Sequence, residues 1–173
     1  DWAVYHQGLG ASYYQNLNTN AAQQSNNRWN GEPTTSLINL QSHAAVNGNG
    51  DTYVCYAFAE KKGYSAFGKY RGNANSNGTF IYTGFKPAFV LIKETTDVGA
   101  WRIYDSKRGQ GGDNIGGNYK NALMADVSSV EESGATNNII DFLSNGFKCR
   151  FTYNDTNGNG GVYVYWAFAA EPI

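Results

Sequence analysis

Charge is scarce in this sequence, and neither sign is in excess. Thirteen lysines and arginines stand against fourteen aspartates and glutamates in 173 residues, so the formal net charge is −1 at pH 7. Proteins that neutralise the phosphates of nucleic acids carry a surplus of basic side chains. The charge balance therefore excludes nucleic acid from the expected partners.

Long apolar runs are also missing. No stretch approaches the roughly 18 apolar residues that a membrane helix needs, and no signal-peptide pattern opens the chain. We therefore expect no membrane insertion. Residue 1 is aspartate rather than methionine, and we expect a processed chain or part of a protein that is longer at its N-terminus.

Cysteine and histidine are rare. The two cysteines, Cys55 and Cys149, are too few for a disulfide framework, and we predict two buried free thiols. The two histidines are His6 and His43, and no G-x-S-x-G motif occurs, so the parts of a nucleophilic hydrolase site are missing.

Carboxylates leave one enzymatic alternative open. Glycoside hydrolysis needs two of them facing one bond, and Glu94, Asp105 and Asp141 are available. The sequence does not show that any two converge. We therefore expect a protein without catalytic residues or cofactors and keep a glycan-degrading domain as the outside alternative.

Glycine and aromatic residues are abundant. The chain holds 21 glycines, 13 tyrosines, nine phenylalanines and four tryptophans, and the dipeptide Asn-Gly occurs seven times. Asn and Gly tolerate the positive φ that tight hairpin turns require, and aromatic residues favour strands. This composition predicts an all-β fold with little helix, a sandwich of antiparallel sheets.

An internal repeat organises the chain. Residues 53–59 (YVCYAFA) match residues 163–169 (YVYWAFA) at an offset of 110, and residues 2–6 match residues 101–105 at an offset of 99. Alternation along these segments predicts half-buried strands. The side chains that we expect to face the core are Trp2, Val4, Val54, Tyr56, Phe58, Trp101, Ile103, Val164, Trp166 and Phe168.

The second copy is longer than the first. Alternating or apolar runs predict strands at residues 64–70, 79–82, 89–92, 147–153 and around Leu123, with one helical turn within 125–134. The strand at 89–92 should be buried on both faces. We therefore divide the chain into residues 1–63, the C-terminal part of a first repeat unit, and residues 64–173, a complete second unit.

The first unit lacks a counterpart of residues 64–93. Its strands would therefore have unpaired edges. We expect residues 1–63 to pack on the second unit, on another chain or on preceding sequence.

One stretch suggests calcium. Asp155-Thr156-Asn157-Gly158-Asn159-Gly160 matches the first half of an EF-hand loop. The position of the bidentate glutamate is Trp166, and the first copy has Ala45 in place of Asp155. A turn explains both copies, whereas calcium explains one. We assign no metal and leave calcium binding at this stretch as an open question.

Ordered motifs along nearly the whole chain carry a family resemblance. They include WAVYHQGLG, NGDTYVCYAFAE, GYSAFGKYRGN, FIYTGFKPAFVLIK, WRIYDSKRG, DFLSNGFKCR and YVYWAFAAEPI. The set resembles the C-terminal repeat region of tail-fibre and other virion proteins of tailed bacteriophages, a domain of unknown function. The resemblance implies a jelly-roll sandwich of the concanavalin or laminin-G kind, a place on the surface of a virus particle and no known catalytic residues.

Two functions follow from this resemblance as expectations. The first is a non-enzymatic tail-fibre or decoration module that binds a host receptor such as a surface glycan, since polar loops rich in Asn, Ser and Tyr suit sugar contact. The second is a purely architectural virion module, or an extracellular adhesin module, without a host ligand. The expected partners are other virion proteins or copies of the chain itself in a homo-oligomer.

Loop residues are the expected meeting points with a partner. A sandwich presents its loops at its ends, and recognition residues concentrate in loops. Arg28 and Trp29 lie in one polar loop, and Tyr119 ends a glycine-rich loop in the second copy. If exposed, the rings of Trp29 and Tyr119 would offer flat aromatic faces, and the Arg28 guanidinium would offer paired hydrogen-bond donors. We predict that all three residues belong to interaction surfaces.

Overall fold

The computed structural model describes residues 1–108, 118–119, 121–132 and 140–171. In this part of the chain there are twelve strands and one helix of four residues. The elements are β1 (Ala3–Val4), β2 (Tyr13–Asn16), β3 (Gln24–Ser25), β4 (Ser65–Arg71), β5 (Phe80–Tyr82), β6 (Pro87–Glu94), β7 (Arg102–Asp105), β8 (Asn118–Tyr119), β9 (Leu123–Met124), β10 (Ile140–Leu143), β11 (Gly146–Cys149), α1 (Asn154–Asn157) and β12 (Val162–Ala169).

Two antiparallel sheets form the body of the protein. One has four strands in the order β5-β11-β10-β8, and the other has five in the order β4-β12-β6-β7-β9. The Phe147 ring on β11 contacts Tyr70 and Tyr165 on the facing sheet, with centroids 6.2 and 5.4 Å apart. The predicted all-β fold, an antiparallel sandwich, is confirmed, while its jelly-roll topology stays a prediction.

The core between the sheets is aromatic. On β12 the side chains that point into it are Tyr163, Tyr165 and Ala167. The predicted core face of this strand, with Val164, Trp166 and Phe168, is wrong, because these side chains lie on the opposite face of the sheet. Alternation identified two faces correctly, but both faces of β12 are apolar, so the pattern did not distinguish them.

A third layer covers that opposite face. Residues from the N-terminal third of the chain, including the small sheet β1-β2-β3, lie there: the His6 ring packs on Trp166, and Trp101 Nε1 donates to Asn16 O on β2. Backbone hydrogen bonds connect it to the sandwich, from Gln23 N to Thr95 O and from Gly99 N to Asn20 O, both 2.9 Å. The predicted burial of residues 89–92 on both faces is only partly correct: Val90 and Ile92 are fully buried in the core, whereas Phe89 and Leu91 on the other face are half-buried. Farther along that other face the N-terminal layer covers Lys93 completely.

The first repeat copy does not form the predicted strand. Residues 53–59 pair with no strand in the described part of the chain, and Val54, Tyr56 and Phe58 are 69%, 71% and 62% exposed. The prediction that they face the core is therefore wrong. In the second copy β12 lies between β4 and β6. Among the described residues no strands flank residues 53–59 in this way, so these residues lack the neighbours that cover their equivalents.

Several smaller predictions are corrected in the same way. Trp2 is 54% exposed, whereas its repeat equivalent Trp101 is fully buried. Contrary to the prediction, Trp101 does not face the core between the sheets but contacts Trp166 on the opposite face, with ring centroids 5.6 Å apart. Cys149 is a buried free thiol, but the free thiol of Cys55 is exposed because it lies in the uncovered segment. Within the described part of the chain the single helix is α1, and residues 125–132 contain no helix; residues 133 and 134 lie outside that part.

In the described part of the chain no helix combines the length and the apolar character that crossing a membrane requires.

Candidate functional site

An open cleft of about 390 Å³ lies at one end of the five-stranded sheet, where β6 ends and β12 begins. The loop that follows β6 forms one wall, and the glycine-rich loop between α1 and β12 forms the other. The lining residues are Glu94, Thr96, Asp97, Val98, Asn154, Gly158, Asn159, Gly160, Gly161 and Tyr163.

Glu94 anchors the first wall. It is the last residue of β6, lies opposite Tyr163 in the sheet register and is almost completely buried. Its Oε1 accepts hydrogen bonds from the backbone N–H and the hydroxyl of Thr96. The carboxylate thereby folds the chain back after the strand and shapes the loop that carries Asp97.

Tyr163 anchors the second wall. Its hydroxyl accepts a hydrogen bond from Gly158 N at 2.8 Å and donates one to the carbonyl of Asn154. Burial, followed by the neighbouring Glu94 carboxylate, raises the pKa of this phenol. Because the phenol stays protonated, it can both donate and accept a hydrogen bond, and it thereby connects α1 to β12.

Two glycines make room in this wall. Gly160 has φ +71°, a conformation that favours glycine. A Cβ on Gly161 would lie 2.7 Å from both Glu94 Oε2 and the Tyr163 hydroxyl, so a side chain there would displace the two anchors. In the second copy the turn at residues 157–161 therefore requires glycine at positions 160 and 161, because of the backbone conformation of the first and the close packing of the second.

Exposed polar groups line the mouth of the cleft. The side chains of Thr96, Asp97, Asn154 and Asn159 are exposed there. Carboxylate oxygens accept hydrogen bonds, whereas amides and hydroxyls both donate and accept. This combination can bind a neutral ligand with many hydroxyl groups, and Val98 adds a small apolar contact.

The residues that suggested calcium have other partners. The Asp155 carboxylate forms an ion pair with Arg102 at 2.6 Å. Asn157 is fully buried, and its amide donates to Asn73 Oδ1, Asn75 O and Phe151 O at 2.9–3.1 Å. Asn159 lines the cleft. Among the described residues no group of three or more His, Cys, Asp or Glu side chains could hold a metal ion, and calcium is not assigned.

The interaction surface predicted at Arg28 and Trp29 lacks the exposed faces that it required. Both residues are buried, at 5% and 7% exposure. The Arg28 guanidinium lies 4.3 Å from the centre of the Tyr14 ring, and Trp29 Nε1 donates to Tyr13 O. They pack the N-terminal layer against itself, because a Trp with a nearby backbone acceptor is satisfied inside its own domain.

Tyr119 is described only in its backbone. It belongs to β8 and pairs with Ile140 of β10, so its backbone is part of the four-stranded sheet. Its side chain lies outside the described residues, and its place in an interaction surface stays a prediction.

Two of the carboxylates considered for glycoside hydrolysis form ion pairs. Asp105 pairs with Arg108 at 2.6 Å, and Asp141 pairs with Arg150. Asp105 is in register with Phe89, five residues from Glu94 along β6, a separation of about 16 Å at roughly 3.3 Å per residue. Paired glycosidase carboxylates lie within about 5–9.5 Å of each other, so Asp105 and Glu94 do not form such a pair.

A scan against protein-family models matches residues 1–172 to the family described as "Domain of unknown function (DUF7483)". The chain belongs to the DUF7483 family. The family match therefore extends over both the N-terminal layer and the sandwich. Neither the curated proteins nor the solved structures contain a match to the chain.

Several residues that build the site were not identifiable in the sequence. Arg102 is 2% exposed and joins Asp155, Glu132 and the Tyr153 hydroxyl, with contacts of 2.5–2.8 Å. Nothing in its neighbourhood along the chain marks a buried cation. For Glu94 a signal existed, because a carboxylate shortly after the apolar run at 89–92 is expected at the end of that strand.

Proposed function

We propose that this DUF7483 chain is a non-enzymatic glycan-binding module on the surface of a bacteriophage virion, part of a tail fibre or a decoration protein. The observation that carries the glycan role is the cleft, where exposed amide, hydroxyl and carboxylate groups surround about 390 Å³ of open space. Sugars present several hydroxyl groups at once, and such groups are matched by side chains that donate and accept side by side. The virion setting is supported by the resemblance of the ordered motifs.

The anchoring of the cleft favours binding without large rearrangement. Glu94 and Tyr163 are buried and hydrogen-bonded, so the two walls keep their shape while Asp97 and Asn159 present their polar groups to solvent. A preformed site loses less conformational entropy on binding.

A glycan array with purified protein tests the proposal. We expect wild-type protein to retain a defined set of bacterial surface oligosaccharides. Asp97→Ala and Asn159→Ala should each weaken the best ligand by about tenfold, the effect of losing one good hydrogen bond. Asn49→Ala is the matched control, because Asn49 is the exposed repeat equivalent of Asn159 outside the cleft and should leave affinity unchanged.

Two results would contradict this proposal. One is that the protein retains no glycan on the array, even where the glycan is presented at millimolar concentration. The other is a retained glycan whose affinity is the same for wild type, Asp97→Ala and Asn159→Ala, because the ligand would then bind elsewhere.

The architectural alternative is favoured by a different observation. Val54, Tyr56 and Phe58 expose three large apolar side chains in one segment, and contiguous apolar exposure marks protein–protein contacts. A module that joins virion proteins through this segment, without a host ligand, would show no specific retention on the array.

A further inference from the structure

Residues 51–61 are here termed the exposed segment. Its last residue, Lys61, forms a β-bridge with Ser65, but the strand sequence before it has no strand partner among the described residues. The backbone N–H and C=O groups of residues 52–58 form no hydrogen bond with any described residue, and every side chain from residue 51 to residue 60 is exposed. Unpaired backbone of this kind is a template for pairing with another chain.

The repeat shows what such a sequence does when partners are present. At an offset of 110, residues 53–59 correspond to 163–169 of β12, which forms ladders with β4 on one side and β6 on the other. The exposed segment therefore has the residues of a central strand. Two contacts already hold it in place: Tyr56 stacks on Trp2, and Phe58 contacts Phe168.

The exposed segment is complementary to itself. Suppose that two copies pair antiparallel about a two-fold axis at Tyr56. The numbers of two residues that lie opposite each other then add up to 112. Tyr56 then meets Tyr56 of the second copy, and Val54 meets Phe58. At each end of the paired segments Asp51 of one copy lies opposite Lys61 of the other, so the dimer contains two pairs of opposite charges.

We propose that the exposed segment is a self-association surface, at which a second copy of this chain adds its own exposed segment antiparallel about Tyr56. Two-fold contacts between identical patches are the commonest route to homodimers. The pairing satisfies backbone groups, joins the apolar side chains of residues 54, 56 and 58, and matches Asp51 with Lys61. The surface shares no residue with the cleft, so the inference is independent of glycan binding.

Cysteine cross-linking of the whole chain tests the register. In a Cys55→Ser background, Tyr56→Cys places two thiols on the axis, with Cα atoms about 4.5–5.5 Å apart, inside the disulfide range of about 4.4–6.8 Å. We expect an oxidised dimer of Tyr56→Cys. Val54→Cys should not dimerise alone, because its copies would lie four residues apart, about 13 Å, but a mixture of Val54→Cys and Phe58→Cys should give a heterodimer.

Sedimentation equilibrium tests the charge pairing. Asp51→Lys and Lys61→Asp should each weaken the dimer about tenfold, because two attractive pairs become repulsive, and the double variant should restore wild-type dissociation. Asp97→Lys, which changes an exposed carboxylate outside the segment, is the matched control and should have no effect.

Three outcomes would overturn the proposal. The first is a protein that stays monomeric at millimolar concentration, which would leave the segment to a different partner. The second is self-cross-linking of Val54→Cys as efficient as that of Tyr56→Cys. The third is a double charge variant whose dimer is as weak as those of the single variants.

Discussion

Phe58 and Phe168 occupy the same position in the two repeat copies, and their rings contact each other edge to face with centroids 5.7 Å apart. Phe168 lies on a strand paired on both sides, whereas Phe58 is 62% exposed in a segment that pairs with no strand among the described residues. One sequence pattern thus has two structural outcomes in a single chain, because packing neighbours decide whether a strand-forming sequence is covered.

The two phenylalanines should respond differently to truncation. The Phe168 ring also contacts Tyr64, Phe67 and Phe89, so Phe168→Ala should lower the free energy of unfolding by about 3 kcal/mol. Phe58→Ala should lower it by less than about 1 kcal/mol, as for exposed positions. Urea unfolding of both variants measures this difference, and equal losses would contradict the assignment of the two faces.

His6 should make the free energy of unfolding depend on pH. The ring is 2% exposed, packs on Trp166 at 4.4 Å, and its Nδ1 accepts from Gly8 N at 2.9 Å. Burial lowers the pKa of His6 to about 4 from the ordinary 6.5. Between these two values the unfolded chain binds the proton more readily than the folded one, so stability is complete above pH 6.5 and falls as the pH drops toward 4.

The expected loss from this residue is about 3 kcal/mol over that window, from about 1.36 kcal/mol per pKa unit. Urea unfolding at pH 7, 5.5 and 4 measures it in wild type and in His6→Gln. The variant should lack this part of the acid loss, although its stability at pH 7 will be lower. Asn49→Ala, which removes no titrating group, is the control and should keep the wild-type slope. A slope in His6→Gln equal to that of wild type would show that other groups cause the acid loss.

Dividing the chain tests its organisation. Residues 64–173 contain both sheets of the sandwich, so we expect them to fold alone into a β protein, whereas residues 1–63 alone should not fold. Without the N-terminal layer, Val164 and Trp101, both fully buried in the whole chain, would be uncovered. Fragment 64–173 should therefore melt lower than the whole chain and bind a dye for exposed apolar surface. A cooperative melting transition of fragment 1–63 would contradict this organisation.

Much of the sandwich was predictable because its signals are local. The apolar run at 89–92 and the alternation at 163–169 identified β6 and β12, since strand periodicity is written into neighbouring residues. The choice between the two faces of β12 was not predictable, because both are apolar. The cleft was not predictable either, since it depends on Glu94 and Tyr163, which are 69 residues apart and meet only through the sheet register.

The exposed positions of Val54, Tyr56 and Phe58 show a second limit. Their sequence alternation is as strong as in β12, and nothing local separates the two copies. Only the pairing of β12 with β4 and β6 explains the difference. For the same reason Arg28 and Trp29, in a loop with turn residues on both sides, were expected at a surface and are buried by Tyr14 and the N-terminal layer.

Amide hydrogen exchange tests the central claim, that the two copies of one strand sequence differ in pairing. At a concentration where the chain is monomeric, the amides of residues 163–168 should exchange slowly, because they lie in a strand paired on both sides. Those of residues 53–58 should exchange at nearly the rate of an unfolded peptide. Strong protection of residues 53–58 in the monomer, comparable to that of 163–168, would contradict the account.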